Sequence, residues 1–247
     1  MSMKTIVAIG GGELGELETL PIDREIVRLS GKKRPVALFI PTASGDSEKY
    51  WEIFQSVYGK KLGCKTDVLF LIREKLSKKE IEGKIISADI IYVGGGNTLR
   101  MMKIWRKLGV DHILRKAWMN GTVMAGLSAG AICWFRYGVS DSRRFSNSKD
   151  TSFMRMRGLH FIHVTVSPHH IREKKLRDPA LREILMRTPG IALALDDNSA
   201  LIVKGENYRV VVAKKNVGVQ MVYKKRKEIF SETIQSGKLD ELLKFRR

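Results

Sequence analysis

Five short apolar runs, most of them followed by a stretch with helical spacing, decide what this chain can fold into. The runs are residues 5–9, 35–40, 67–72, 89–93 and 122–125. Between them, residues 22–29, 47–62, 77–82 and 98–117 read as helices; Trp51, Phe54, Val57 and Tyr58 share one stripe of the second. Strands that are apolar throughout are buried on both faces, and strands separated by helices run parallel. The expected fold class is therefore α/β: a mostly parallel sheet with helices on both faces.

Beyond residue 150 the pattern changes. Residues 158–167 read as a strand carrying alternating histidines, 172–187 as a basic helix ended by Pro189-Gly190, and 239–245 as a closing helix. Residues 191–195, 200–204, 208–213 and 217–223 read as short strands with polar turns, added antiparallel toward the C-terminus. No repeat, low-complexity segment or linker interrupts the chain, and 247 residues suffice for one well-buried core. Residues 1–247 are expected to form a single domain.

Whole-chain chemistry narrows the function classes. No apolar run approaches the roughly 20 residues that span a bilayer. Residues 1–9 are basic then apolar, but the run is too short for a signal peptide and leads into glycines, so it reads as the first strand. Two cysteines, Cys64 and Cys133, exclude a disulfide framework or a Cys-rich metal site and suit a reducing compartment, so a cytoplasmic location is expected. The formal charge is +19, which attracts anions of any kind. The modest basic clusters, residues 172–187 and 224–227 with Arg246 and Arg247, lack the interleaved aromatics of a single-strand binder. They read as a solvated surface, and nucleic acid is not an expected partner.

The segment with the most chemistry is Gly126-Leu127-Ser128-Ala129-Gly130, directly after the strand at 122–125. A G-x-S-x-G turn between a buried strand and a helix forces the serine into a strained backbone, so its neighbours must be small. The strain pushes the hydroxyl clear of the sheet, toward free N–H groups and the positive end of a helix, where an oxyanion can form. The plainer reading is a tight turn in which Ser128 only caps a helix.

A serine needs a base, and five histidines are available. His112 lies in a helical pattern, and His160 and His163 on a strand with opposite facing. His169 follows Pro168 at the strand's carboxyl end, where open α/β sheets place their crevice. His169 is the expected base, with His170 as competitor. The base needs an acid to fix its tautomer. Asp141 in a loop after the nucleophile is preferred; Asp196 and Asp197 are rivals. For the oxyanion, the Ala129 N–H and the Gly94-Gly95-Gly96 loop, through Gly95 and Gly96, are the expected donors. Asn97 and Thr98 then either bind substrate or cap the next helix. Gly10-Gly11-Gly12-Glu13-Leu14-Gly15 matches a dinucleotide fingerprint, but the second strand ends Phe39-Ile40-Pro41-Thr42 without the acid that holds a ribose. No cofactor is expected.

With these pieces in order, the chain resembles the peptidase E and cyanophycinase group of serine peptidases. The resemblance rests on Gly94-Gly95-Gly96-Asn97-Thr98, Gly126-Leu127-Ser128-Ala129-Gly130-Ala131 and Ser167-Pro168-His169, and covers roughly residues 5 to 205. It implies the class I glutamine amidotransferase-like fold, with Ser128 as nucleophile, His169 as base and Asp141 as acid. It also implies hydrolysis of small peptides with an aspartyl residue on the acyl side, a small acidic peptide as partner, and no metal. Arg172, with Asn97 and Thr98, could hold such a side chain. The amidotransferases of this fold use cysteine and a His-x-Glu pair; here Ser128 stands in place of cysteine and Ile171 follows His169 by two. A homodimer is compatible with this reading. Two other classes remain open: a non-catalytic polyanion- or nucleic-acid-binding protein using the +19 charge, and an esterase or amidase on the same scaffold.

Overall fold

A computed structural model describes residues 3–226 and 228–244. Lys227, Arg246 and Arg247 of the basic clusters, and the last residue of the expected closing helix, Phe245, lie outside the described residues. Strand β1 (Thr5–Ile9) is followed by α1 (Leu20–Leu29), β2 (Val36–Ile40) and α2 (Glu48–Phe54), which runs on into a π-helical segment (Gln55–Lys61). Next come β3 (Lys65–Val68), α3 (Lys78–Ser87), β4 (Ile90–Val93), α4 (Thr98–Leu108), α5 (Val110–Met119) and β5 (Val123–Leu127). The second half holds α6 (Ala129–Ile132), β6 (Phe135–Ser140), β7 (Met154–Arg157), β8 (Ile162–Ser167), α7 (Lys174–Arg187), β9 (Ile191–Leu195) and β10 (Ser199–Lys204). It ends with β11 (Asn207–Val212), β12 (Val219–Lys225), β13 (Glu228–Ile234), β14 (Ser236–Lys238) and α8 (Leu239–Lys244).

Local chemistry accounts for the helix starts. Ser47 accepts the Tyr50 N–H at 3.2 Å and opens α2. Ser77 and Glu80 form a reciprocal capping box that opens α3. The expected single helix over 98–117 is two helices, because Gly109 adopts φ +71°, ends α4 and starts α5 at a new angle.

The strands form two sheets rather than one. An eight-stranded sheet has the order β14-β11-β10-β1-β5-β4-β2-β3, with β1, β5, β4, β2 and β3 parallel and β10, β11 and β14 antiparallel. A six-stranded sheet has the order β13-β12-β9-β8-β6-β7; β6, β8 and β9 are parallel and β7, β12 and β13 antiparallel. The reason lies at α6. A parallel crossover back into the same sheet takes a dozen residues or more, and α6 has four. The chain leaving β5 therefore starts a new sheet. Its strand β9 pairs parallel to β8, not antiparallel as its short polar turns suggested.

Alternation sorts the first sheet's side chains into two cores. Val7, Ile9, Phe39, Tyr92 and Ala125 face α1, α2 and the π segment, where Phe39 stacks on Phe54 at 4.7 Å and Phe54 on Tyr58 at 4.3 Å. Ile6, Ala8, Leu38, Ile91 and Met124 join the opposite core with α3, α4 and α5. That core continues into Val164, Val166, Leu193 and Met221 of the second sheet. Leu181 and Leu185 of α7 pack on Val139, Ala192 and Ala194 on the outer side. Among the described residues no helix is long and apolar enough to cross a membrane.

Candidate active site

The position of Ser128 follows from how β5 ends. Residues 123–127 pair in register with Thr5–Ile9, and the Ser128 N–H extends that ladder to the Ile9 carbonyl at 3.1 Å. The backbone then turns abruptly: Ser128 has φ +56° and ψ −108°. A non-glycine residue in this region is strained and persists only where its surroundings hold it. Here the surroundings are two glycines. A Cβ on Gly126 would stand 2.3 Å from the Gly130 carbonyl oxygen, and one on Gly130 2.1 Å from that of Val93. The sequence G-x-S-x-G is thus required by packing at both glycines. Helix α6 begins at once, with Ala131 and Ile132 N–H groups on the Ser128 carbonyl, both at 2.9 Å.

His169 arrives from β8 of the other sheet. Its backbone, at φ +55°, donates its N–H to the Gly10 carbonyl at 3.0 Å. Its Nε2 lies 2.8 Å from Ser128 Oγ, and its Nδ1 lies 2.5 Å from Asp197 Oδ1. A carboxylate only accepts, so Nδ1 carries the proton and Nε2 is free to take one from the serine hydroxyl. Asp197 follows β9, in the turn that leads into the first sheet. Burial pushes its carboxyl upward, but the His169 hydrogen bond and the charges of Arg172 and Arg177 outweigh this and hold it below the ordinary carboxylate range. Arg172 Nε is 3.2 Å from Asp197 Oδ2.

Gly11 makes room for this pair. A Cβ there would lie 1.8 Å from Asp197 Oδ1 and 2.4 Å from His169 Nδ1. The glycine run that mimicked a nucleotide fingerprint is the floor beneath the histidine and the aspartate.

The carboxylate that meets His169 is therefore that of Asp197 and not that of Asp141. Asp141 stands just past the end of β6 and faces Arg144, 3.8 Å away. The adjacent Ser142 Oγ accepts the Leu99 N–H at 3.1 Å, which ties this loop to α4 rather than to the histidine. Asp196, the other rival, turns away: its carboxylate accepts N–H groups from Ile171 and Gly218 at 3.1 and 2.9 Å. His170 is also turned inward, 2 % exposed, and does not meet the serine.

A cleft of about 380 Å³ opens over Ser128 and His169, lined among others by Glu13, Lys49, Tyr50, Gly95 and Arg172. Gly95 lies beside Ser128; a Cβ there would make ordinary van der Waals contact with Ser128 Cβ at 3.5 Å. Its backbone N–H faces the Tyr50 hydroxyl. Gly96 instead turns toward the loop after β2, where a Cβ would meet the Ala43 carbonyl oxygen at 2.4 Å. Asn97 and Thr98 do not line the cleft. Asn97 Oδ1 accepts the Arg100 N–H at 3.0 Å and caps α4, and Thr98 is 1 % exposed. The capping alternative holds for Asn97. Sequence reasoning passed over Glu13, Lys49 and Tyr50, which only the folding of α2 beside the glycine run brings to the cleft. Among the described residues no group of three His, Cys, Asp or Glu side chains could hold a metal ion.

Comparison with known proteins gives a consistent result. The sequence model of peptidase family S51 matches residues 6–211. The uncharacterized peptidase YgaJ of Bacillus subtilis (strain 168) is 39% identical over 201 residues, which covers 81% of this chain and 83% of that protein. The crystal structure of a peptidase from an acI-B1 Actinobacterium superposes with a TM-score of 0.71 at 21% identity, covering 96% and 97% of the two chains. A Listeria monocytogenes EGD-e protein assigned to peptidase E superposes with a TM-score of 0.62 at 18% identity, covering 95% and 100%. These two structures share the fold.

Proposed function

The chain belongs to peptidase family S51 and is a serine-type peptidase, and from that premise we propose that it cleaves peptide bonds through Ser128, His169 and Asp197. Ser128 Oγ attacks the scissile carbonyl while His169 Nε2 takes its proton and then passes it to the leaving amine. Asp197 holds the Nδ1–H tautomer and stabilises the imidazolium that forms. The Ala129 N–H at the start of α6 and the backbone at Gly95 flank the place where the oxyanion develops. Water then releases the acyl group by the same route in reverse. The observation that carries this reading is the unbroken Ser128–His169–Asp197 chain of 2.8 and 2.5 Å contacts at the mouth of an open cleft.

The substrate we propose is a small peptide with an aspartyl residue on the acyl side. Arg172 lines the cleft with its side chain 53% exposed, so the guanidinium can meet a second carboxylate while it holds Asp197. Lys49 adds a second cation to the same cleft. The test is a dipeptide panel that varies the first residue, run beside a fluorophosphonate probe. Expected are labelling at Ser128, preference for an aspartyl first residue, and loss of about a millionfold in kcat for Ser128→Ala with an unchanged fold. Full activity in that variant would remove Ser128 from the mechanism.

A further inference from the structure

Most of the positive charge is unaccounted for by the active site, and part of it is gathered elsewhere. Arg106 and Arg115, on α4 and α5, reach over to the segment just before β8. Arg106 Nη2 donates to the Arg157 carbonyl at 2.8 Å and Arg115 Nη2 to the Leu159 carbonyl at 2.6 Å. Arg136 on β6 and Arg157 on β7 complete the group. Arg73, Arg144, Arg172, Arg177 and Arg182 each face a carboxylate. Among the described residues Arg106, Arg115, Arg136 and Arg157 form no ion pair. Backbone carbonyls hold the Arg106 and Arg115 guanidiniums in place, and no described carboxylate pairs with any of the four.

Beside Arg115, Arg136 and Arg157 are two histidines. The His160 and His163 rings lie 4.3 Å apart, and His160 Nε2 is buried without a hydrogen-bond partner. Burial lowers the His160 pKa, and His163, Arg136, Arg157 and Arg115 lower it further. The three arginines that act most strongly on the ring all oppose its protonation. Crowded like charges cost free energy unless a counter-charge enters among them.

We propose that Arg106, Arg115, Arg136 and Arg157 with His160 and His163 form an anion-binding site for a small, multiply charged phosphate-type ligand. Guanidiniums present paired N–H donors that match phosphate oxygens, and a protonated imidazole adds one more. The neighbouring rings do not offer a stacking platform for bases: Arg115 already covers Phe161 at 4.8 Å and Arg136 covers Tyr137 at 5.1 Å. The site is separate from the cleft. His160 precedes and His169 follows β8, whose length alone is about 17 Å at the rise of a strand.

Calorimetric titration of the full chain with inorganic pyrophosphate, at constant ionic strength, tests this. Saturable binding is expected, weakened about tenfold by Arg157→Ala and again by Arg115→Ala. The His160 imidazole, followed by NMR, should titrate at higher pH when pyrophosphate is bound, while fluorophosphonate labelling of Ser128 stays unchanged. Binding no stronger than that of chloride, or undiminished in the double variant, would overturn the site. So would uptake of a single-stranded oligonucleotide by a protein that ignores pyrophosphate. Arg157 is a surface side chain, so the first variant tests the site even if the second folds poorly.

Discussion

A methyl group at Gly11 would occupy the space of the Asp197–His169 hydrogen bond. Gly11→Ala is therefore expected to lower kcat/KM by at least about a hundredfold, since a displacement near 1 Å in a reacting geometry has that effect. Circular dichroism should stay native, because β1 itself is untouched. An active Gly11→Ala enzyme would show that the pair tolerates displacement. The two carboxylates that competed for the role of acid give a sharper contrast. Asp197→Asn should cut kcat by about a thousandfold or more by favouring the wrong tautomer, whereas Asp141→Asn should change it by less than about tenfold. Steady-state kinetics on the two purified variants decide it, and the reverse order would restore Asp141. The serine and the histidine could be read from the sequence because each motif states its own backbone: a turn packed by two glycines, and a strand end. The acid could not. Asp196 and Asp197 are neighbours that face opposite ways, and only the path of one turn decides which meets the imidazole.

At the scale of elements, the alternation of apolar run and helix was legible for β1 to β5, because each strand is buried on both faces and each helix carries a stripe. What failed were pieces whose partners are remote in sequence. The Met154–Arg157 strand alternates Met and Arg, and β13 is mostly exposed; neither has an apolar signature of its own. The break at Gly109 was hidden by continuous helical spacing. Its φ of +71° costs an alanine roughly 1 kcal/mol, and nothing within 4 Å would oppose the added methyl. Gly109→Ala should lower unfolding stability by about that amount in urea; a stabilised variant would mean that one continuous helix is tolerated. A buried polar contact joins two other elements. Asp23 on α1 accepts hydrogen bonds from Thr19 and from Tyr58 of the π segment, each at 2.8 Å. Burial raises its pKa from 3.8 to about 6 despite them. The folded state thus holds a proton that the unfolded chain releases, so the stability this residue contributes is full below about pH 4 and lost as pH rises through about 6. The swing is about 3 kcal/mol. Asp23→Asn removes the titration, so denaturation curves of wild type and variant should diverge between pH 4 and pH 7, the wild type losing ground. Parallel profiles would show that Asp23 is ionised in the folded protein.

The whole molecule is two sheets, and the sequence read as one. Short strands look alike whichever sheet receives them; the decision is made by the length of α6, four residues that cannot cross back. The chain first passes from the first sheet to the second at α6 and first returns between β9 and β10, before crossing again for β12 and β13. Ser128 marks the first passage and Asp197 the second, while His169 is tied to β1 by the bond from its N–H to Gly10. With the mechanism proposed above, turnover reads the alignment of two slabs that share one core. A slide of a single ångström between them would part a 2.8 Å contact without exposing that core. Hydrolysis should accordingly fade at urea concentrations where near-ultraviolet dichroism and tryptophan emission are still native. Coincident loss of both would mean that the slabs are locked until the molecule melts as one. In this architecture catalytic competence is a property of a seam, and substitutions far from the serine that loosen the seam would silence the enzyme while leaving each half intact.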